Sequence, residues 1–334
     1  MQSAGFDIVT RKLFSVVATA LAVTACSFGN AVAAEAWPSR PIRLVVPFPA
    51  GGAVDYAARL VGERLSTRLK QPVIVDNKPG AGSTIGVMAV TKSEPDGYTL
   101  LMSGSTSLTV NPAIRAKLPY DPLKDLAPIA IVASGPLVLL TNSSKPYHNF
   151  AELVAKAKAS PSSLSYYTYG PGTIPHLAGE LLAESAGISF RAIPYKGSNE
   201  AVLALLRGEV DIGLDTVFAA APYIRTGQLR ALAVTGLTRS SFLPQVPSFS
   251  ELKIPQASVD GFSALMAPAK TPAPIMDRLV QEVSAIMAMP DVKEKLSAQS
   301  LETAAIGPAA ARTKIETDLV KFRQLAKALN ISLE

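Results

Sequence analysis

Cross-links are the first thing this chain lacks. Of its 334 residues only Cys26 is a cysteine, so no disulfide can form within one chain and the fold has to rest on its buried core. Histidine is nearly as scarce, with His148 and His176 alone. Without an H-E-x-x-H pair or a second cysteine, the spacing offers no zinc site. No G-x-S-x-G turn, no G-K-[ST] phosphate loop and no G-x-G-x-x-G fingerprint in a strand-to-helix setting occurs. The expectation is a protein with no catalytic activity of its own and no cofactor. Aromatic residues make up 6% of the chain and no basic block stands out, which argues against the stacking platforms and cationic stripes of nucleic-acid binding. After Trp37 no long uninterrupted apolar run remains. Nothing there predicts a membrane span of ~20 residues, and the remainder is expected to be soluble.

What is present begins with a leader. Arg11 and Lys12 precede the apolar run Leu13 to Ala25, and small residues lead to Ala31-Val32-Ala33. This order of basic, apolar and A-x-A segments is that of a secretory signal, and it predicts removal of residues 1–33 and a periplasmic protein. Val23-Thr24-Ala25-Cys26 also resembles a lipobox, leaving lipidation at Cys26 as the second route. Cleavage after Ala33 removes Asp7, Arg11 and Lys12 and takes the formal net charge from +6 to +5. The charges are scattered, so they are weakly informative, although a mild positive excess attracts anions.

The remaining ~300 residues suit about two domains. Strand-like and helix-like segments alternate. Ile42 to Val46 is β-branched, and Asp55 to Lys70 carries the helical stripe Ala57, Val61, Leu65 and Leu69. Val73 to Val75 and Tyr98 to Met102 read as further strands. A second cycle starts near Ile129. It has a strand at Val138 to Leu140, a helix Phe150 to Ala159 behind an Asn149/Glu152 capping box, and a strand at Ser165 to Thr168. A helix Leu177 to Ala186 closed by Gly187 follows, with strands at Phe190 to Pro194, Val210 to Leu214 and Leu229 to Thr235. Helices Ile275 to Met289 and Ala309 to Leu329 complete the chain. This β-α-β order predicts two α/β lobes with mainly parallel sheets. Ser134-Gly135-Pro136 and Ala267-Pro268 to Pro274 read as crossovers between them.

Candidate binding residues lie where strands should end, which is where open α/β sheets take their ligands. The first loop runs through Phe48, Pro49, Ala50, Gly51 and Gly52 to Asp55. Its glycines allow close backbone approach and its helix start favours an anion. Asp55 reads as the N-cap of that helix ahead of a ligand contact. A second loop spans Asn77 to Ser83, and Ser103, Ser105 and Thr106 add hydroxyls after another strand. A third loop, with Gly170, Gly172 and Thr173, precedes the helix that carries His176, which is either a cleft donor or a packing residue.

Pro95-Asp96-Gly97-Tyr98-Thr99-Leu100-Leu101, Asn111-Pro112 and Leu118-Pro119-Tyr120-Asp121-Pro122 accompany the first two loops. Then come His176-Leu177-Ala178-Gly179-Glu180, Pro194-Tyr195-Lys196-Gly197 and Gly227 to Thr235. In this order, from Trp37 almost to the end, they resemble the Bug-type receptors of tripartite tricarboxylate transporters. The resemblance implies two Rossmann-like lobes joined by a hinge, the type II periplasmic binding protein arrangement that closes as a Venus flytrap. Lobe one would comprise 37–135 and 260–334, and lobe two 136–259. It implies a small carboxylate ligand, an organic acid or amino acid, held by backbone groups and waters at Phe48 to Gly52. Gly170 to Thr173 and Asp215-Thr216 would close from the other lobe. The implied partners are membrane transporter subunits or, alternatively, a signalling sensor, with the receptor itself monomeric. The chain departs from the pattern at Gly261-Phe262, where the family often has Trp, and at Pro171 and Ile174.

Overall fold

The computed structural model describes residues 37–328. The expected leader with Cys26, and Leu329 at the end of the last expected helix, lie outside them.

From Arg40 onward, β-branched and leucine-rich segments form strands and the striped segments cover them. β1 (Ile42–Val46) leads to α1 (Ala53–Leu69), then β2 (Val73–Asn77), α2 (Thr84–Thr91) and β3 (Thr99–Gly104). Ala57, Val61 and Leu65 of α1 are wholly buried, as are Ile42, Leu44, Val45 and Val46 of β1. β1 pairs in parallel with both β2 and β3. A π-helical turn, Thr106–Val110, continues into a short α turn, Asn111–Ile114.

β4 (Leu126–Asn142) is a single 17-residue strand. Its first part pairs with β9 (Asp260–Pro268) and its second part with β7 (Ile212–Thr216) and β8 (Leu229–Val234). Ser134-Gly135-Pro136, read from the sequence as a crossover, lies inside this strand. Pro136 is at the last pairing with β9, where β4 changes partners. It thus interrupts the interior of neither ladder.

The second set of elements is α3 (Phe150–Ala159), β5 (Ser165–Thr168), α4 (Ile174–Ala186), β6 (Arg191–Pro194), α5 (Ser198–Leu206), β7 (Ile212–Thr216), α6 (Val217–Arg225) and β8 (Leu229–Val234). The α3 capping box is present. The Glu152 N–H donates to Asn149 Oδ1 at 2.9 Å, and the Glu152 carboxylate accepts from the His148 N–H at 2.6 Å. β4 alternates along this stretch. Leu137 and Leu139 join Leu153, Leu177 and Leu214 on one face. Val138 and Leu140 join Val202, Leu205 and Ala220 on the other, as a pleat with a period of two requires.

The chain returns along β9 (Asp260–Pro268), then α7 (Ala273–Ala288), α8 (Pro290–Ala298), β10 (Glu302–Ile306) and α9 (Pro308–Ala328). β9 pairs antiparallel with β3 and β4, and β10 antiparallel with β4. The expectation of mainly parallel sheets is corrected here: the sheets are mixed. Apolar periodicity detects parallel strands through the helical crossovers they need. β9 follows β8 with only a 3-10 turn, Pro255–Ala257, between them, and the sequence pattern predicts neither β9 nor β10. α9 spans two cores. Ile315 and Leu319 pack with Val45, Leu101 and Met266, while Phe322 and Ala326 pack with Leu139 and Phe249.

Candidate ligand-binding cleft

The carboxyl ends of the parallel strands face one cavity of about 730 Å³. β1 and β3 deliver residues to it from one side, and β5, β6 and β7 from the other. Four helix starts also contribute: Gly52, Ala53 and Val54 at α1, Thr173 and Ile174 at α4, Gly197 to Glu200 at α5, and Thr216 and Val217 at α6. The first four N–H groups of a helix lack intrahelical acceptors and carry partial positive charge. Such ends, gathered from both sides, make a place for an anion.

The first loop is held from beneath. Gly51, at φ +89°, turns its N–H onto Asp55 Oδ2 at 2.9 Å. Asp55 also accepts from Arg59 Nε at 3.0 Å, Arg59 Nη2 at 3.1 Å and Asn77 Nδ2 at 2.9 Å. The Asn77 amide donates in addition to the Phe48 carbonyl at 3.1 Å. Burial works against ionisation of Asp55, but the hydrogen bonds from Arg59, Gly51 and Asn77 outweigh it and hold the carboxyl below its usual range. Asp55 is not the N-cap of α1. That position is Gly52, and Asp55 lies within the first turn, where it braces the loop.

Beside this loop, Ser105 Oγ accepts the Phe262 N–H at 3.0 Å. Thr106 Oγ1 accepts the Ile174 N–H at 3.1 Å, from the start of α4. On the opposite wall Asp215 is buried. Its carboxylate accepts from Ser198 Oγ at 2.9 Å, Tyr167 Oη at 3.1 Å and the Thr216 N–H at 2.7 Å. Burial pushes its pKa up, opposed by these donors and by the Tyr169 hydroxyl. With its oxygens taken, Asp215 acts on the cleft by positioning Ser198 and Thr216. Thr216 caps α6 by accepting the Ala219 N–H at 3.3 Å.

Of the residues read from the sequence, Phe48, Pro49, Ala50, Gly52, Asp55, Ser105, Thr106, Thr173, Asp215 and Thr216 line the cavity. Five do not. Gly51 spends its N–H on Asp55. Ser103 is buried and donates to Ser107 Oγ at 2.8 Å, within a hydroxyl chain that continues to Ser83. Gly170 and Gly172, at φ +100° and +84°, shape the turn before α4. His176 packs on α4 with a buried Nδ1 that has no hydrogen-bond partner, and burial depresses its pKa against the pull of Glu180. Its open assignment therefore falls on the packing side.

Several lining residues carried no assignment. Gly197-Ser198-Asn199-Glu200 is a legible helix start, and that signal was available. Ser240, Phe242, Leu301 and Glu302 offer no local pattern; folding alone brings them in. The walls also touch. Asn199 Nδ2 donates to the Ala50 carbonyl at 3.3 Å, Arg115 Nη2 to the Pro171 carbonyl at 3.3 Å, and the Tyr56 and Phe218 rings lie 5.6 Å apart. A Cβ on Gly197 would stand 3.2 Å from Pro49 Cγ.

Among the described residues no cluster of acids, histidines or cysteines could hold a metal ion, and no helix is long and apolar enough to cross a membrane. A sequence profile for the tripartite tricarboxylate transporter family receptor matches residues 57–331. The protein BugT of Bordetella pertussis is 36% identical over 304 residues, covering 91% of this chain and 93% of BugT. A solved R. palustris protein with adipate superposes with a TM-score of 0.85 at 30% identity, covering 89% of this chain and 99% of that one. MatC from Rhodopseudomonas palustris, solved with bound malate, gives 0.82 at 27% identity, covering 86% and 99%. This chain belongs to the tripartite tricarboxylate transporter receptor family, the Bug-type periplasmic solute-binding proteins, and has their two-lobed type II fold.

Proposed function

We propose that this receptor captures a small carboxylate between its lobes and presents the closed form to the membrane subunits of a tripartite transporter, leaving the ligand chemically unchanged. The observation that carries the reading is the convergence of four helix starts from both walls on one cavity. The ligand carboxylate rests against the N–H groups at the start of α1 and the hydroxyls of Ser105 and Thr106. Thr173, Thr216 and the start of α5 close over it. Adipate and malate in the structural neighbours support an organic acid. On this reading the lobes divide at residues 135/136 and 259/260, beside the end of the β4–β9 ladder at Pro136 and Asp260.

A thermal-shift panel of organic acids and amino acids on the purified protein tests this. A ligand at about 100 times its Kd adds roughly 2.7 kcal/mol, a visible rise in the midpoint. No rise with any carboxylate would sink the proposal, and so would protein-dependent product found by mass spectrometry. We further propose export with removal of residues 1–33, checked by N-terminal sequencing of protein from its native envelope. An intact Met1 would overturn it, and a lipid-modified Cys26 would select the other route.

A further inference from the structure

We propose that the cleft takes an acid with a single carboxylate, whose remaining body is largely apolar and carries no second anionic group. This rests on the carboxylate reading above and extends it to the far end of the ligand.

The two walls differ in charge. At the first, Asp55 sits in the opening turn of α1 but is neutralised by Arg59 at 3.0 Å. The helix start is therefore left with its partial positive charge and no net opposing one. At the second wall, Glu200 lies in the first turn of α5 and Asp215 accepts from Ser198 in the same turn. Neither has an ion-pair partner among the described residues. The positive end of α5 is thus already met by the protein's own carboxylates, and a second ligand carboxylate there would face like charge. Lys196 is the one Lys or Arg among the described residues lining the cavity, and it is exposed.

The hydroxyls divide in the same way. Ser105 and Thr106 accept backbone N–H groups and keep their own protons for a ligand. Across the cleft, Thr173 Oγ1 has donated to the Gly170 carbonyl at 2.7 Å and Ser198 Oγ to Asp215. Phe48, Ile174, Val217, Phe242 and Leu301 also line the cavity, and their side chains suit an apolar body. At about 730 Å³ the cavity has room for roughly two dozen water-sized groups, enough for such a body.

Three acids on one six-carbon skeleton test the far end directly: hexanoate, 6-aminohexanoate and adipate, titrated calorimetrically into the purified protein at pH 7. Hexanoate is expected to bind tighter than adipate by about tenfold or more, and 6-aminohexanoate, whose ammonium meets the second wall's carboxylates, is also expected to bind tighter than adipate. Adipate binding as tightly as hexanoate, or more tightly, would overturn the inference, and so would adipate binding as tightly as 6-aminohexanoate. Phe242→Arg places a cation at the second wall and is expected to raise adipate affinity by about tenfold, with circular dichroism confirming the fold. An unchanged adipate affinity in the folded variant would count against the charge argument. If neither these three acids nor any member of the wider carboxylate panel binds, the proposed function itself fails. A preference for adipate leaves that function standing and removes this inference alone.

Discussion

Gly52 shows how much one missing side chain can matter. A Cβ built there meets nothing within 4 Å, because it would project into the open cleft. Its φ of −86° is one any residue adopts. Gly52→Val should therefore leave folding intact and place two methyl groups at the proposed docking point of the carboxylate, weakening binding by about tenfold or more, ~1.4 kcal/mol at least. Lys78 does not line the cavity, and its Nζ lies 3.4 Å from Asp76. Lys78→Ala should change affinity by much less. Calorimetry on both variants decides: normal binding by Gly52→Val with loss in Lys78→Ala would replace the backbone cradle with a cationic clamp. Asp55 acts on the same loop through charge. Its folded pKa is below the ordinary 3.8. Its stabilisation is therefore complete above that value and is lost as pH falls through the folded pKa. Asp55→Asn should lower stability at pH 7 by about 1–3 kcal/mol, and the gap to the wild type should close in strongly acidic urea melts. A gap that persisted at low pH would show that the loss is steric.

At the scale of the element, helix starts do two kinds of work here. That of α3 is structural: the Asn149 side chain caps it and Glu152 returns the bond to the His148 N–H, far from the cleft residues. Asn149→Ala should cost about 1 kcal/mol and leave ligand affinity untouched, as chemical denaturation and calorimetry together would show. A change in affinity would mean that α3 couples to the cleft. The starts of α1 and α5 lack a side-chain cap and open on the cavity. Sequence reasoning found α1 because Gly51-Gly52 follows a strongly β-branched strand. It passed over α5, although Ser198 and Glu200 precede an apolar run in the same manner. The strand before it is legible at Phe190 to Pro194, but the connection to α5 carries the single glycine Gly197 where the loop before α1 carries Gly51-Gly52.

For the whole molecule, continuity decides behaviour. β4 belongs to the sheets of both lobes, and α9 buries Leu319 in one core and Phe322 in the other. Neither lobe can unfold without exposing part of the other's core. Calorimetry should accordingly show one cooperative transition, with a calorimetric enthalpy equal to the van't Hoff value. Two resolved transitions would mean that the shared elements do not couple the lobes.

Local pattern by itself determined the strands with unbroken β-branched runs, the striped helices, the capping box of α3 and the glycine loop after β1 that lines the cavity. Each depends on neighbours within a few residues, whose spacing states the environment they need. Tertiary structure alone decided that Ser134-Gly135-Pro136 continues a strand, that β9 and β10 pair antiparallel, and that Asp55 braces the loop instead of capping the helix. It also decided which hydroxyls keep a proton for a ligand. Those outcomes depend on partners distant in the chain, such as Asp260 for Pro136, Asn77 for Asp55 and Ile174 for Thr106. Hydrogen-bond donors are shared out only after the chain has brought such partners together, and no local periodicity encodes that division.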